Sequence, residues 1–332
     1  MKKKPILFQE IFLQRNNLIF LQGLISIQDV NFSMDDFKTP KDAFLSLTHK
    51  DFHLKITITD TDQKQQDFFF QTSPYGDFSL KLPYFSLCQS IDVFIQENNN
   101  YVFLEKILPI NLPSPLNFIF CDFDQTLIET KFKTLKELYR ALKTSLNSFS
   151  TIYSSVELFR SYSHYYSFIL SASPYFFHDL IKNWLKNQDI FPNKILLKDF
   201  RKILSLKEEL SFKDFKDQAY YKISKILHII LLYGYPQNLV LIGDSIESDL
   251  LIYSIIKKIL SFDSDHKILF DEIFSTIKLT TKQKTDLSEK ILELSQWREV
   301  PKLKIEIFIR GKIIKKPSNF FLTNPDEIVF YS

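Results

Sequence analysis

Two aspartates stand two positions apart in the stretch Cys121-Asp122-Phe123-Asp124-Gln125-Thr126. They directly follow Phe118-Ile119-Phe120, a run that is typical of a short buried strand. Because alternate residues of an extended segment point the same way, both carboxylates can face one pocket. One would then act as a nucleophile and the other as a general acid and base. The alternative is an acidic turn in which Asp124 accepts local backbone hydrogen bonds.

A second apolar run, Phe168-Ile169-Leu170, leads into Ser171-Ala172-Ser173-Pro174. A hydroxyl group and free backbone N–H groups between a strand and a helix can hold a phosphate. The alternative is that Ser173 caps a helix whose first residue is Pro174. Both readings hold together if Ser171 faces the ligand while Ser173 caps the helix.

A third acidic stretch follows the run Leu239-Val240-Leu241-Ile242, where Gly243-Asp244 leads on to Asp249. Glycine lets the chain turn closely there, which brings Asp244 to the same sheet edge as Asp122. Carboxylate oxygens from two strand ends, together with waters and a substrate phosphate, fit Mg²⁺. The alternative is a loop with an acidic cap for a helix that starts near Ser248.

A lysine at the start of the helix predicted to end at Tyr233 would screen these aspartates and bind a phosphate oxygen. Lys222 and Lys225 lie one helical turn apart on a similar face, so both remain candidates. The alternative for either one is a solvated surface lysine.

Two different sequence patterns position these residues. Residues 17–115 show short alternating runs with a turn at Ser73-Pro74-Tyr75-Gly76-Asp77, which predicts a small antiparallel β-sandwich domain. From residue 116, apolar strands alternate with amphipathic helices, including helices at 133–146 and near 156–159, which predicts an α/β fold with a parallel sheet. We therefore predict an N-terminal β-rich domain at 1–115 and a catalytic domain at 116–262. Residues 263–332 are predicted to form helices and a β-hairpin, without an assigned role.

The order Asp-x-Asp-x-Thr, Ser, Lys, Gly-Asp-x₄-Asp over residues 122–249 resembles the haloacid dehalogenase-like superfamily of phosphotransfer enzymes. Residues 116–256 further resemble the catalytic domain of the actin-patch-type phosphatidate phosphatase family, bacterial-type members included. The chain departs from that family's pattern at four positions, where the family has Asp, Asn, Arg and commonly Gly: Gln125, Ala172, Lys198 and Ile246.

The resemblance implies a Rossmann-like catalytic domain and a Mg²⁺-dependent phosphatase with phosphatidate as the first substrate to try. Asp122 would form an aspartyl phosphate, and Asp124 would protonate the leaving oxygen and then activate water. Mg²⁺ would lie between Asp122, Asp244 and the backbone carbonyl of Asp124, with Asp249 either a ligand or the orienter of a water. Ser171 and Lys222 would bind the other phosphoryl oxygens. A protein of this fold without turnover, acting as a scaffold, and a phosphatase for a soluble phosphomonoester are the alternatives.

Only 41 residues separate Thr126 from Phe168. Such a short insertion leaves room for a minimal cap, so we expect an open site that admits a large substrate such as a lipid headgroup. The basic segment 301–317 is a candidate contact with anionic lipid, although the solvated face of a β-hairpin is the favoured explanation.

The composition sets limits on these readings. The chain has 332 residues, 42 basic and 39 acidic, for a net charge of +3, which argues against a nucleic-acid-coating protein. Two cysteines favour a reducing compartment, and no signal peptide or transmembrane helix is expected. We therefore expect a cytoplasmic protein, with peripheral membrane contact as an option.

Overall fold

The computed structural model describes residues 3–15, 17–29, 51–84, 86–110, 112, 114–130, 146–174, 177–198, 218–246, 248–261, 266–296, 303–311 and 328–332. The chain divides into two compact units, with the N-terminal division between residues 111 and 112. The predicted helix at 133–146 falls almost wholly outside the described residues, as do Lys312, Lys315 and Lys316 of the basic segment.

The N-terminal unit consists of two antiparallel sheets. One sheet has the order β1-β2-β5 and the other the order β4-β3-β6-β7. The strands are β1 Lys3–Arg15, β2 Leu18–Asp29, β3 His53–Asp60, β4 Gln65–Gln71, β5 Asp77–Pro83, β6 Cys88–Glu97 and β7 Asn100–Ile107. Inward-facing residues of both sheets form one hydrophobic core that includes Phe12, Leu21, Ile56 and Val93. The alternating runs therefore pack as two sheets around a shared core, because successive side chains of a strand point to opposite faces of its sheet.

The predicted turn at residues 73–77 is present between β4 and β5. Gly76 has a φ of +77°, and its N–H donates to the carbonyl of Ser73. A Cβ atom at Gly76 would lie 2.1 Å from the carbonyl oxygen of Ile25, so only glycine fits there.

The second unit contains a six-stranded parallel sheet of order β10-β9-β8-β11-β12-β13. Its strands are β8 Asn117–Cys121, β9 Tyr166–Pro174, β10 Lys194–Lys198, β11 Asn238–Asp244, β12 Lys304–Arg310 and β13 Ile328–Tyr331. The described helices are α1 Tyr153–Ser161, α2 His178–Asn187, α3 Ala219–Tyr233, α4 Asp249–Ser261, α5 His266–Thr276 and α6 Thr281–Ser295. The predicted α/β fold with a parallel sheet is therefore confirmed.

The chain order of this sheet reverses between β8 and β11. From β8 the chain builds outward through β9 and β10, and it then returns to add β11, β12 and β13 on the other side. A crevice at the carboxyl ends of the strands forms at such a reversal, and open α/β sheets bind their ligands there. Asp122 follows β8 and Asp244 ends β11, so the reversal lies between these two carboxylates.

The prediction of a β-hairpin in the C-terminal segment is wrong for the strands that the structure describes there. Strand β12 pairs with β11 from Asn238↔Lys304 to Asp244↔Arg310, and β13 pairs with β12, all in parallel. Ile307 and Ile309 of β12 are buried, which explains why the strand joins the sheet and does not fold back on itself. Residues 303–311 and 328–332 thus belong to the same sheet as the candidate active site.

Candidate active site

Aromatic packing fixes helix α3 against the strands that carry the acidic residues. Phe120 of β8 stacks on Phe168 of β9 with ring centroids 4.5 Å apart. Tyr233, the last residue of α3, meets Phe118 and Phe168 edge-on. These contacts pack the last turn of α3 on the sheet, while Lys222 in its first turn contacts Asp122 at the carboxyl edge.

Three carboxylates meet at that edge. Asp122, Asp244 and Asp249 each offer one oxygen atom, and these atoms lie within 4.8 Å of one another. All three side chains are buried. The sequence placed them at separate strand and helix ends, and the structure brings them together.

Lys222 lies within this cluster and is fully buried. Its Nζ is 2.9 Å from Asp122 Oδ1 and 2.5 Å from Asp249 Oδ1. A buried ammonium group needs such partners, because moving an unpaired charge from water into the protein interior costs several kcal/mol. Of the two lysine candidates, Lys222 is therefore the one that contacts the predicted nucleophile, whereas Lys225 is half-buried one turn further along α3.

Asp249 accepts hydrogen bonds through both carboxylate oxygens. Its Oδ1 accepts from Lys222, and its Oδ2 accepts from the backbone N–H of Asp244 at 3.3 Å. Gly243 makes this approach possible, since a Cβ atom there would lie 2.5 Å from Asp249 Oδ2. Glycine at this position therefore allows α4 to pack closely on β11.

Asp124 does not belong to the three-carboxylate cluster and has hydroxyl partners of its own. Its Oδ2 accepts from Ser171 Oγ at 3.0 Å and from Ser173 Oγ at 2.7 Å. Its Oδ1 accepts from Thr130 Oγ1 at 2.9 Å. The acidic-turn alternative, in which the carboxylate serves the local backbone, does not describe these contacts.

The prediction that Ser173 caps a helix is wrong. Strand β9 continues through Pro174, which pairs with Lys198 of β10, and the next described helix begins only at His178. In an extended strand residues 171 and 173 face the same side, and this is why both hydroxyls reach Asp124. That alternation was readable in the sequence and would have found Ser173.

Thr130 was not singled out by the sequence, and Arg310 was noted only as one of the basic residues of 301–317. Arg310, at the end of β12, donates to the backbone carbonyl of Gln125 and to Glu129 Oε1, both at 2.9 Å. It thereby ties the loop after β8 to a strand almost two hundred positions away. No local pattern around residue 310 indicates this contact.

Cys121 and His178, two ionisable groups near the site, make structural contacts. Burial raises the pKa of the Cys121 thiol well above its usual value, and its Sγ contacts the carbonyl of Asp122 at 3.1 Å. This agrees with an inert buried thiol. His178 pairs with the neighbouring Asp179 at 3.0 Å on α2, as a surface histidine would.

The donor set of the cluster fits a hard divalent cation. Its three carboxylates supply only oxygen ligands, which Mg²⁺ prefers over nitrogen or sulfur. Lys222 contacts Asp122 through Oδ1, while Oδ2 of Asp122 lies 3.4 Å from Thr126 Oγ1. An ion at this cluster would take its protein oxygen ligands from among Asp122, Asp244 and Asp249.

Residues 118–261, fewer than half of the 332 residues, match a family model described as "Phosphatidate phosphatase APP1, catalytic domain". The match contains Asp122, Asp124, Lys222, Asp244 and Asp249. It supports the resemblance to the phosphatidate phosphatase family and agrees with the predicted enzyme class, a phosphoric monoester hydrolase. No curated protein gave a significant match.

Solved structures show only distant likenesses. The Pnkp1/Rnl/Hen1 complex contains a chain with 15% identity and a TM-score of 0.24, with 45% of this chain and 48% of that chain covered. A β-glucuronidase of Ruminococcus gnavus has 7% identity and a TM-score of 0.25, with 77% of this chain and 41% of that chain covered. A calcium-binding mutant of Bacteroides uniformis β-glucuronidase 2 has 9% identity and a TM-score of 0.27, with 92% of this chain and 34% of that chain covered. This chain spans less than half the length of each, and at these TM-scores the likenesses carry no conclusion.

Proposed function

We propose that this phosphatase hydrolyses phosphomonoesters through an aspartyl-phosphate on Asp122, with Mg²⁺ as cofactor and phosphatidate as the leading candidate substrate. The observation that carries the proposal is the meeting of Asp122, Asp244 and Asp249 around Lys222 at the point where the strand order reverses. A haloacid dehalogenase-like fold with a minimal cap remains part of this proposal.

Asp122 is the proposed nucleophile. One of its carboxylate oxygens attacks phosphorus in line, an O–P bond forms, and the bond from phosphorus to the leaving oxygen breaks. Lys222 stands 2.9 Å from Asp122 Oδ1, where its charge offsets the negative charge that gathers as the phosphoryl group transfers. Water then attacks the phosphoryl group, which releases inorganic phosphate and restores the carboxylate.

Asp124 is the proposed proton carrier. It gives a proton to the leaving oxygen in the first step and takes one from the attacking water in the second. A hydroxyl group both donates and accepts, so Ser171, Ser173 and Thr130 can hold the Asp124 side chain in either protonation state. When substrate is present, rotation of the Ser171 hydroxyl would let it serve a phosphoryl oxygen.

Asp249 is the proposed positioning residue for Lys222. It holds Nζ at 2.5 Å from one side while Asp122 holds it from the other. Asp122, Asp244 and the backbone carbonyl of Asp124 would hold Mg²⁺, which would supply charge neutralisation for the phosphate oxygens. This role differs from the two that the resemblance implies for Asp249, a ligand of Mg²⁺ or the orienter of a water, and it agrees better with the hydrogen bonds of Asp249.

The substrate proposal rests on the matched family model, whose description names phosphatidate. The experiment measures phosphate release by the purified protein from phosphatidate in mixed micelles and from an aryl phosphate, with Mg²⁺ and with EDTA. We expect Mg²⁺-dependent release from phosphatidate and its reduction to below a few per cent in Asp122→Asn, because the amide is a far poorer nucleophile. Asp179→Asn is the matched control, since it makes the same change on the exposed surface of α2.

Each outcome decides one part of the proposal. Release from the aryl phosphate alone would keep the chemistry and replace the lipid by a soluble phosphomonoester. Full activity in Asp122→Asn would disprove the assigned nucleophile. Absence of release from both substrates, with a folded protein, would favour the scaffold alternative.

A further inference from the structure

The loop after β8 folds into a narrow turn over residues 124–130, and Asp124, the proposed proton carrier, is its first residue. A bridge joins Asp124 to Ile128, and the N–H of Gln125 donates to the carbonyl of Ile128 at 2.9 Å. From the other end of the turn, Thr130 Oγ1 donates to Asp124 Oδ1 at 2.9 Å. The direction of the Asp124 carboxylate therefore depends on the shape of this turn.

Gln125 is the residue of the turn whose backbone needs support. Its φ is +59°, in the left-handed region that a residue with a side chain keeps only when surrounding contacts hold it there. Its backbone carbonyl accepts a hydrogen bond from Arg310 Nη1 at 2.9 Å. That bond holds the peptide unit that follows Gln125, one residue away from Asp124.

Arg310 contacts both arms of the turn at once. While Nη1 donates to the carbonyl of Gln125, Nη2 donates to Glu129 Oε1 at 2.9 Å. A planar guanidinium group can bind two acceptors in this way, whereas the single nitrogen of a lysine cannot reproduce the fork. Glu129 is itself anchored, since its N–H donates to the carbonyl of Ser150 at 2.9 Å. Arg310 therefore joins the two arms of the turn through one side chain.

The parallel sheet gives Arg310 a fixed base. Arg310 ends β12 and is paired with Asp244 of β11 on one side and with Tyr331 of β13 on the other. Its carbonyl accepts from the N–H of Ser245 at 3.0 Å, and the preceding Ile309 is fully buried. The position of the turn is thus set by a strand that lies outside residues 118–261, the segment that matches the family model.

We propose that Arg310 is a positioning residue for Asp124, because it holds the turn 124–130 in the shape that directs the Asp124 carboxyl group at the leaving oxygen. The inference rests on the proposed proton transfer by Asp124 and adds to it a residue of β12. Its consequence is specific, since a displacement of about 1 Å costs a catalytic group up to about 10²-fold in rate. Loss of Arg310 should therefore harm proton transfer more than phosphoryl transfer itself.

The test compares phenyl phosphate with 4-nitrophenyl phosphate, which differ by one nitro group. Phenolate is the stronger base and gains from protonation as it leaves, whereas 4-nitrophenolate leaves readily without a proton. The ratio of their kcat/KM values covers the step in which the leaving group departs. We expect Arg310→Met to lower kcat/KM for phenyl phosphate about tenfold more than for 4-nitrophenyl phosphate. Arg310→Lys keeps the charge without the fork and should give an intermediate change.

Arg160→Met is the matched control. Arg160 lies on the exposed surface of α1 and also donates to a backbone carbonyl, that of Gln188 after α2. It should leave the ratio of the two kcat/KM values unchanged. An equal loss on both esters in Arg310→Met, through kcat or through KM, would assign Arg310 to general stability or to substrate binding and overturn the proposal.

Hydrogen exchange separates failure of this inference from failure of the proposed reaction, because it needs no turnover. Mass spectrometry of peptides that cover residues 123–130 reports how often the turn opens. Arg310→Met should raise exchange there and leave the peptides of α4 unchanged, whereas Arg160→Met should change neither. This result in a protein that hydrolyses neither ester would support the hold of Arg310 on the turn and reject the proposed reaction. Wild-type exchange over 123–130 in Arg310→Met would overturn the inference at any level of activity.

Discussion

Lys222 is a lysine side chain without solvent exposure, and its amine contacts carboxylates from two different elements. One ammonium group faces three carboxylates that lie within 4.8 Å of one another. Without Lys222, mutual repulsion and the loss of hydration would disfavour the three ionised carboxylates together. The lysine therefore has a structural task as well as its proposed role in binding phosphate.

We expect Lys222→Met to lower the free energy of unfolding by about 3–5 kcal/mol in EDTA, the range for removing one partner of a buried ion pair. Mg²⁺ should restore part of this loss, because a cation that binds only the folded state stabilises it. Urea unfolding with and without Mg²⁺ measures both effects. Lys182→Met, on the exposed face of α2, is the control.

A free energy of unfolding of the Lys222→Met protein that is the same with and without Mg²⁺ would contradict a cation site at these carboxylates. An unchanged free energy of unfolding would instead mean that the cluster does not need an internal cation. Loss of a phosphate-binding lysine would lower activity whether or not the carboxylates bind a cation, so stability is the measurement that separates the two.

At the residue scale, sequence reasoning succeeded where a side chain follows directly from its place at a strand end. Asp122, Asp124 and Asp244 lie at one edge of the sheet as predicted, because buried parallel strands end there. Sequence reasoning could not choose between Lys222 and Lys225, because helical spacing gives a common face but not its depth. The contacts of Arg310 escaped notice because its partners are distant in the chain.

At the scale of elements, α3 carries Lys222 at the candidate site and also makes polar contacts with α6. Asp286 of α6 accepts hydrogen bonds from Tyr220 and Ser224 of α3, at 2.9 and 3.0 Å. His228 lies two turns beyond Lys222 on α3, and burial lowers its pKa from 6.5 to about 4. The charges of Lys225 and Lys290 lower this pKa further, while that of Asp286 raises it.

This shift makes stability depend on pH. Between about pH 6.5 and 4 the unfolded chain binds a proton at His228 that the folded protein excludes, so stability falls as the pH falls. The slope from this group should approach about 1.4 kcal/mol per pH unit in that window. Urea unfolding across this range should show a smaller slope in His228→Gln than in the wild type.

His164→Gln is the control for that measurement, because His164 is exposed on the loop after α1. It should leave the slope as it is in the wild type. If His228→Gln and the wild type lose stability equally between these pH values, the histidine is not excluded from protonation in the folded protein.

Elements were predicted most reliably where their own pattern was enough to define them. The strands at residues 118–120, 168–170 and 239–242 and the helix ending at Tyr233 all exist, with wider bounds than the patterns suggested. Strand β1 was missed because Gln9-Glu10 interrupts its apolar pattern, and its pairing with β2 shifts register at that point. Strand β7 was missed because most of its side chains are exposed.

At the scale of the whole molecule, the matched segment 118–261 lacks strands that its sheet requires. Sequence patterns could not show this, because parallel pairing joins segments far apart in the chain and leaves no local mark.

None of the helices that the structure describes is both long and apolar enough to cross a membrane. Of the basic segment, the described Lys304 and Arg310 pair with Glu306 and Glu129.

The sheet predicts how the chain tolerates truncation. Strand β12 covers β11 over seven paired positions, and Ile307 and Ile309 of β12 are buried. A fragment of residues 112–261 would expose this edge of β11, together with the face of α3 that packs on α6. We therefore expect residues 112–332 to unfold cooperatively in urea, and residues 112–261 to show no cooperative transition or to aggregate.

Circular dichroism during urea unfolding distinguishes the two fragments, with the full chain as the reference. The longer fragment keeps every described strand of the parallel sheet, so its midpoint should lie close to that of the corresponding transition in the full chain. A cooperative transition of the shorter fragment at the same midpoint would show that β12 and β13 add nothing to the stability of the sheet. Because Arg310 of β12 donates to the backbone carbonyl of Gln125, loss of β12 should also disturb the loop that follows β8.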